Sequence, residues 1–272
     1  MRKRTKMALP PPSELTFVAV QAALNAGALL RQGFDTTFEV QFKEGRLNLV
    51  TEYDKRSEKN IIEAVFHRFP SHTILAEESG DIQKGSSSVT WIIDPLDGTV
   101  NFARNIPIFT VSIAVAIDKQ IVSGVVYQPM TQELFIAEKG KGAFLNGKKL
   151  IVSKTENLDN AVMATGFPYN VDQNPLSCID RFVAIQAQGI PVRRLGSAAL
   201  DLAYVAAGRF DAFWEVGLHP WDMAAGKLLV EEAGGKVTHW NGSPHKVFDY
   251  ETLLASNGLL HQKMSQCLTE GP

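Results

Sequence analysis

Cysteine is scarce: the 272 residues include two, Cys178 and Cys267, far apart and in no C-x-x-C pattern. That argues against a disulfide framework or a cysteine zinc site, and it fits a cytoplasmic setting. Long hydrophobic runs are lacking as well. The longest apolar candidate, residues 108–117, is interrupted by Thr110 and Ser112 and suits a strand, so no membrane span is expected. Nor is there an excess of one charge. Lys and Arg number 27 against 29 Asp and Glu, a net charge of −2, which gives no electrostatic reason to expect nucleic acid as a partner. The basic cluster Arg2, Lys3, Arg4 and Lys6 precedes Pro10-Pro11-Pro12 with no apolar core after it. It reads as part of a disordered, solvated lead over residues 1–12 rather than a secretory signal or a binding arm. No internal repeat or low-complexity linker is visible.

What the chain does have is apolar content, 45% of its residues. That is enough for a sizeable core over residues 13–272, with an α+β half to about residue 152 and an α/β half after it sharing one interface. Leu15, Val18, Ala22 and Leu29 recur at helical spacing from Ser13 to Gly33. Residues 38–42 alternate like a strand, and residues 43–48 form a polar turn around Gly45. A second helix opens near Asp54, buries Ile61, Ile62, Val65 and Phe66, and stops at Pro70. Strand-like runs follow at 73–76, 91–93, 108–117, 121–127, 133–137 and 143–145, the last four as an antiparallel meander, with Asn146-Gly147 a hairpin turn. Beyond Ser153 strands at 191–195, 210–215, 237–240 and 253–256 alternate with helices at 197–207 and 222–233, the rhythm of a layered α/β arrangement.

The chemistry is concentrated where apolar runs end in acids. Trp91-Ile92-Ile93 delivers Asp94 and Asp97 around Pro95, Leu96 and Gly98, followed by Thr99. Two carboxylates at a strand end suit magnesium, which prefers oxygen ligands and keeps waters. A helix opening at Gly98 and Thr99 would aim backbone donors at a phosphate. Asp-Pro and Asp-Gly are also plain turn formers, and the segment alone does not separate the two readings. Spacing does exclude two others. An EF-hand beginning at Asp94 would meet Leu96 at a ligand position and Asn105 where the bidentate Glu belongs. An aspartyl-phosphate mechanism would need its nucleophile at Pro95. Further acids sit at similar edges: Glu77 and Glu78 after Ile74-Leu75-Ala76, and Asp222 after Trp221. Singly, Asp222 and Asp54 read as helix caps and Glu77 as a solvated strand end. His219 adjoins Pro220-Trp221 with no second His at ligand spacing, which marks it as a local structural residue.

Taken together, residues 48–55, Ala76-Glu77-Glu78-Ser79, Trp91 through Phe102 and Trp221 through Gly226 resemble the inositol monophosphatase family, in order and approximate separation, over residues 13–265. Thr165-Gly166-Phe167-Pro168 and Gly196 through Tyr204 look most like its bacterial branch. The resemblance implies a layered α/β/α/β/α sandwich, a homodimer, lithium sensitivity and two to three magnesium ions per subunit. Glu77, Asp94 and the Leu96 carbonyl would hold the first ion and Asp94, Asp97 and Asp222 the second, while a weaker third would lean on Glu77. Thr99, hydrogen-bonded to Asp54, would orient the attacking water, with Glu77 beside it. Lys43 would lie near the site, and Gly98, Thr99, Gly196, Ala198, Glu215 and Asp222 would meet the substrate. The implied reaction is hydrolysis of inositol 1-phosphate or a similar monoester without a covalent intermediate. Histidinol-phosphate, bisphosphate-nucleotide and sugar-bisphosphate phosphatases share the fold and stand as alternatives, and some bacterial relatives are partners of the transcription machinery. Departures are small: Val100 replaces a common Thr, and the loop at 80–89 is short, which bears on the third ion. Arg193 and Arg194 are read as structural or interface residues.

Overall fold

The computed structural model describes residues 12–43, 48–83, 87–248 and 251–270. The expected lead up to residue 11, the Gly45 turn and part of the 80–89 loop lie outside the described residues. In chain order, helix α1 spans Pro12–Gly33, and β1 (Val40–Phe42) pairs with β2 (Leu49–Thr51). Next come α2 (Glu52–Arg68), β3 (Thr73–Ala76), β4 (Gly80–Gln83), β5 (Val89–Asp97), α3 (Thr99–Ala103) and β6 (Thr110–Ile117). Strands β7 (Gln120–Gln128), β8 (Glu133–Glu138), β9 (Gly142–Leu145) and β10 (Lys148–Lys149) follow. The remainder is β11 (Met163–Thr165), α4 (Cys178–Ala187), β12 (Val192–Arg193), α5 (Ala198–Ala206), β13 (Ala212–Val216), α6 (Pro220–Glu232), β14 (Lys236–Thr238), β15 (Thr252–Ser256) and α7 (His261–Thr269).

An eight-stranded sheet of order β10-β9-β8-β7-β6-β5-β3-β4 carries α1 and α2 on one face and α6 on the other. Helices α5 and α6 also pack on a five-stranded sheet, β12-β11-β13-β15-β14, whose far side meets α4 and α7. The result is the expected α/β/α/β/α sandwich. Strand alternation decides what each layer touches. Trp91, Ile93, Val111, Ile113, Val115 and Val125 point toward α1 and α2, while Ile92, Ala114, Ala116 and Val126 point toward α5 and α6. The second set includes Ala114 and Ala116, whose small side chains let α6 come close. A Cβ on Gly124 would lie 2.9 Å from the Ala225 carbonyl oxygen.

Most sequence-predicted elements are present, and the differences have local causes. The strand ending in Asp94 does not stop there: β5 keeps its pairing to Asp97↔Thr110 across an irregularity, and Pro95, which has no N–H to give to the ladder, sits inside it. The strands expected at 38–42 and 191–195 are cut to Val40–Phe42 and Val192–Arg193. Helices α4 and α7 and strands β2, β4 and β11 went unpredicted, β4 lying where a loop was expected. Of the ten residues of α4, Cys178 and Ile185 are buried, too few for a clear apolar stripe. The expectation of no span-length segment is corrected by α1, whose 22 residues are long and apolar enough to cross a bilayer. In the fold its Leu15, Ala19, Ala22, Ala23, Ala26 and Leu30 are instead buried in the α1–α2 core cluster. Both cysteines are free thiols.

Candidate active site

The acids meet where β3 and β5 end against the start of α5 and α6. Strand β3 runs parallel to β5 with Ala76 opposite Ile93, so Glu77 and Asp94 emerge side by side, and the Glu77 N–H donates to the Ile93 carbonyl at 3.2 Å. Asp94, 2% exposed, accepts the Leu96 N–H on Oδ1 at 3.0 Å, which holds the bulge. Gly98 follows with φ +99°, a conformation that favours glycine. A Cβ there would also come within 3.0 Å of the Ile108 carbonyl and 3.2 Å of the Gly196 carbonyl. Gly196 has φ +82°, and Asn101 Nδ2 donates to the neighbouring Leu195 carbonyl at 2.8 Å, so α3 and the entry to α5 are locked together.

Asp97 is tied to the second half of the chain. Its Oδ2 accepts from Ser197 Oγ at 2.6 Å and from the Ala199 N–H at 2.8 Å, and the Ala198 amide also faces it. Asp97 thereby satisfies the first amides of α5, and the Ala198 backbone is directed at a carboxylate. Asp222 has a comparable double position. It is the third residue of α6 rather than its cap; its Oδ2 takes the His219 N–H at 2.7 Å in a capping box, and the His219 ring stacks on Trp221 at 4.8 Å.

Asp54 forms the same motif at the start of α2. The Thr51 N–H donates to its Oδ2 at 2.7 Å, while its Oδ1 receives the Thr99 hydroxyl at 2.7 Å. Thr99 Oγ1 also lies 3.0 Å from the Leu96 carbonyl. Lys43 Nζ donates to Glu77 Oε1 at 2.9 Å and to Glu78 Oε1 at 2.5 Å. Every acid proposed from the sequence thus falls in one neighbourhood, which Glu215 reaches from β13, close enough for its charge and those of Asp97 and Asp222 to act on one another. Glu215 is no strand end: Val216 follows it and pairs with Thr252, and the Glu215 carboxylate lies against Gly166, where a Cβ would sit 2.2 Å from Oε2.

These carboxylates press on one another. Asp94 is held well above the usual carboxylate range by burial, then by the charges of Glu77, Asp97 and Asp222. Asp222 is raised likewise by burial, Asp97 and Glu77. Burial lifts Asp97 to about 6 despite the Ser197 and Ala199 donors, and Asp54 to about 6 despite Thr51 and Thr99. Glu215 is pushed up to about 8 by burial and then by Asp97, with Arg194 opposing. Lys43 is shifted upward: burial works against its charge, and Glu77 and Glu78 outweigh burial.

A buried group of this kind fits hard cations, because an oxygen-only donor set with mutually raised acids is relieved by added positive charge. Among the described residues no three His, Cys, Asp or Glu side chains are gathered tightly enough to hold an ion alone. Sequence reasoning missed Ser197, Ala199, Gly166, Ser57 and Glu58. Ser197 lies between two residues that were singled out. Ala199 follows Ala198 directly and Gly166 lies in the Thr165-Gly166-Phe167-Pro168 segment, whereas Ser57 and Glu58 carry no local signal, since their contacts come from distant parts of the chain.

The model of the inositol monophosphatase family matches residues 12–270, and the chain belongs to that family. It is 47% identical over 226 residues, 83% of this chain and 85% of the relative, to the Nus factor SuhB of Escherichia coli. To the inositol-1-monophosphatase of Synechocystis it is 44% identical over 262 residues, 94% of this chain and 88% of that relative. The solved inositol monophosphatase of Anabaena matches with a TM-score of 0.85 at 41% identity, covering 96% of this chain and 97% of that one. Membership supports a phosphatase role.

Proposed function

We propose that the protein is a magnesium-dependent phosphatase that hydrolyses a small polyol monophosphate, with inositol 1-phosphate giving inositol and phosphate as the favoured case. Glu77, Asp94, Asp97, Asp222 and the Leu96 carbonyl would hold two to three magnesium ions. When bound, these supply charge neutralisation for a dianionic ester and a lowered pKa for water. The observation that carries the reading is the carboxylate set in which Glu77 and Asp97 raise Asp94 and Asp222, with Thr99 donating to Asp54 at its edge.

The chain's own residues then act as follows. Thr99 gives its hydrogen to Asp54 Oδ1, which leaves an oxygen lone pair to accept from and aim a water. Asp54, lifted toward neutral pH, is a fitting final acceptor for the proton that water loses. The water oxygen bonds to phosphorus as the ester P–O bond breaks, and the departing alkoxide takes a proton from a solvent water to leave as the alcohol, so no covalent enzyme intermediate forms. Gly98 and Thr99 would face the phosphate, and Gly196, Ala198 and Glu215 the alcohol. Glu215 favours a polyol over the histidinol-phosphate, bisphosphate-nucleotide and sugar-bisphosphate alternatives. A homodimer in the cytoplasm and inhibition by lithium belong to the same proposal.

The test is phosphate release with and without metal. Chelator should abolish it, magnesium should restore it, and Asp94→Asn should remove most of the activity seen with magnesium. Full turnover by the chelated protein refutes the reading. The name of the Escherichia coli relative, Nus factor SuhB, supports a second role with the transcription machinery, which a pull-down with purified transcription components tests independently of catalysis.

A further inference from the structure

Helix α2 buries a polar stripe instead of an apolar one at its start. Asp54, Ser57 and Glu58 occupy positions i, i+3 and i+4, so they share one face, and each reaches a different piece of the site. Asp54 takes the Thr99 hydroxyl; Ser57 Oγ donates to the Pro95 carbonyl at 2.8 Å, inside the β5 bulge between Asp94 and Leu96. Glu58, 3% exposed, accepts the Glu78 N–H on Oε2 at 2.8 Å and the Ser79 hydroxyl on Oε1. Placing a carboxylate in such a position is unfavourable unless both oxygens are used, and here they are.

The consequence falls on Glu77. Its own N–H is held by Ile93 on β5, and the N–H of the next residue is held by Glu58 on α2. The backbone that launches the Glu77 side chain is therefore clamped on both sides, by a strand and by a helix. Nothing else in the described contacts of Glu77 has this effect from the outer side: Lys43 grips the carboxylate itself and would be in competition with a cation there.

We propose that Glu58 is a positioning residue that presets Glu77 for its cation, by fixing the Glu77–Glu78 peptide rather than by touching metal or substrate. The inference rests on the phosphatase reading above. It accounts for a buried carboxylate outside the ligand set, and it makes α2 a template that registers Thr99, the Asp94–Leu96 turn and Glu77 against one another.

The experiment titrates magnesium alone into the full chain by calorimetry, checks it with manganese by electron spin resonance, and records Tm and kcat beside it. Glu58→Met removes both acceptors and should weaken magnesium binding about 10-fold or more, the scale seen when a partner of a ligating group is lost. Glu58→Gln keeps an acceptor for the Glu78 N–H and a donor for the Ser79 oxygen, so it should restore binding to within about 3-fold of wild type on the same reasoning. Ser79→Ala, which deletes one of the two bonds and spares the helix, should fall between them and serves if Glu58→Met does not fold. Val65→Ala, in the core on the same helix, supplies a loss of Tm without touching the clamp. Wild-type affinity in Glu58→Met and Ser79→Ala overturns the proposal. So does equal weakening in Val65→Ala at matched Tm, or a Glu58→Gln as weak as Glu58→Met, which would make net charge rather than geometry the cause. If the wild type itself takes up no magnesium, the phosphatase reading fails first. If it binds magnesium and the variants do not differ from it, the role of Glu58 alone fails.

Discussion

Thr99 donates its hydroxyl hydrogen to Asp54 Oδ1 at 2.7 Å, joining the first residue of α3 to the third residue of α2. If this pair aims the nucleophile, Thr99→Ala should lower kcat by about 10²–10⁴-fold and move KM little. Asp54→Asn should act on the same step, and the double variant should cost less than the sum of the two. Because Asp54 also accepts the Thr51 N–H, Tm is to be measured alongside. Strict additivity in steady-state kinetics would show that the residues do not work as a pair.

Lys43 bridges Glu77 and Glu78, at 2.9 and 2.5 Å. In Lys43→Met the two carboxylates lose that charge and repel each other. A fall in Tm of about 2–4 °C per kcal/mol lost is expected without metal, shrinking as magnesium is added. A difference in Tm that stays constant across a magnesium titration by scanning calorimetry would contradict a shared place on Glu77.

Glu215 separates substrate recognition from metal binding. Above pH 8, where Glu215 is ionised, Glu215→Gln removes a charged acceptor worth about 1.5–3 kcal/mol to a substrate hydroxyl, roughly one to two decades in kcat/KM for inositol 1-phosphate. An aryl phosphate without such hydroxyls should be hydrolysed at a nearly unchanged rate. Equal loss on both substrates in parallel assays would place Glu215 in the folding or metal machinery instead.

His261 gives a pH dependence remote from the site. It is 3% exposed, and its ring nitrogens meet Thr238 Oγ1 at 2.7 Å and Ser256 Oγ at 2.8 Å. Burial, then Lys236, lowers its pKa to about 4. The folded pKa lies below the unfolded value of about 6.5, so between these pH values the unfolded chain binds a proton that the native one excludes. The contribution is intact above about pH 6.5 and is lost as pH falls toward 4, amounting to about 2 kcal/mol at pH 5. Urea melts from pH 7.5 to 5 should show a shallower acid slope for His261→Asn than for wild type. Parallel slopes would refute the assignment.

Much of the architecture was legible from local pattern. The apolar run Trp91-Ile92-Ile93 marked a strand, and Asn146-Gly147, with φ of +47° and +80°, is the turn between β9 and β10. Thr51 and Asp54 start α2, and Pro70 follows its end. Such features depend on neighbours in sequence, through side-chain periodicity, fixed or permissive φ, and caps within reach of three residues. Residues 178–187 hid their helix because that helix is largely exposed, and residues 95–97 hid the continuation of β5 because a bulge interrupts the pattern of two.

By itself the sequence determined which residues were available for chemistry: acids at the ends of apolar runs, with a threonine behind glycine and no cysteine chemistry to compete. Only the tertiary structure decided how each acid divides its oxygens. Asp97 gives Oδ2 to the start of α5, Asp222 gives Oδ2 to its own helix, and Asp54 splits between Thr51 and Thr99. It also set Lys43 on Glu77 and buried Glu58 behind the same turn. The reason is physical. A cap or a turn is satisfied within a few residues, whereas the field that raises Asp94 arises when α5 and α6 pack between two sheets and bring Asp222 and Asp97 into one buried space.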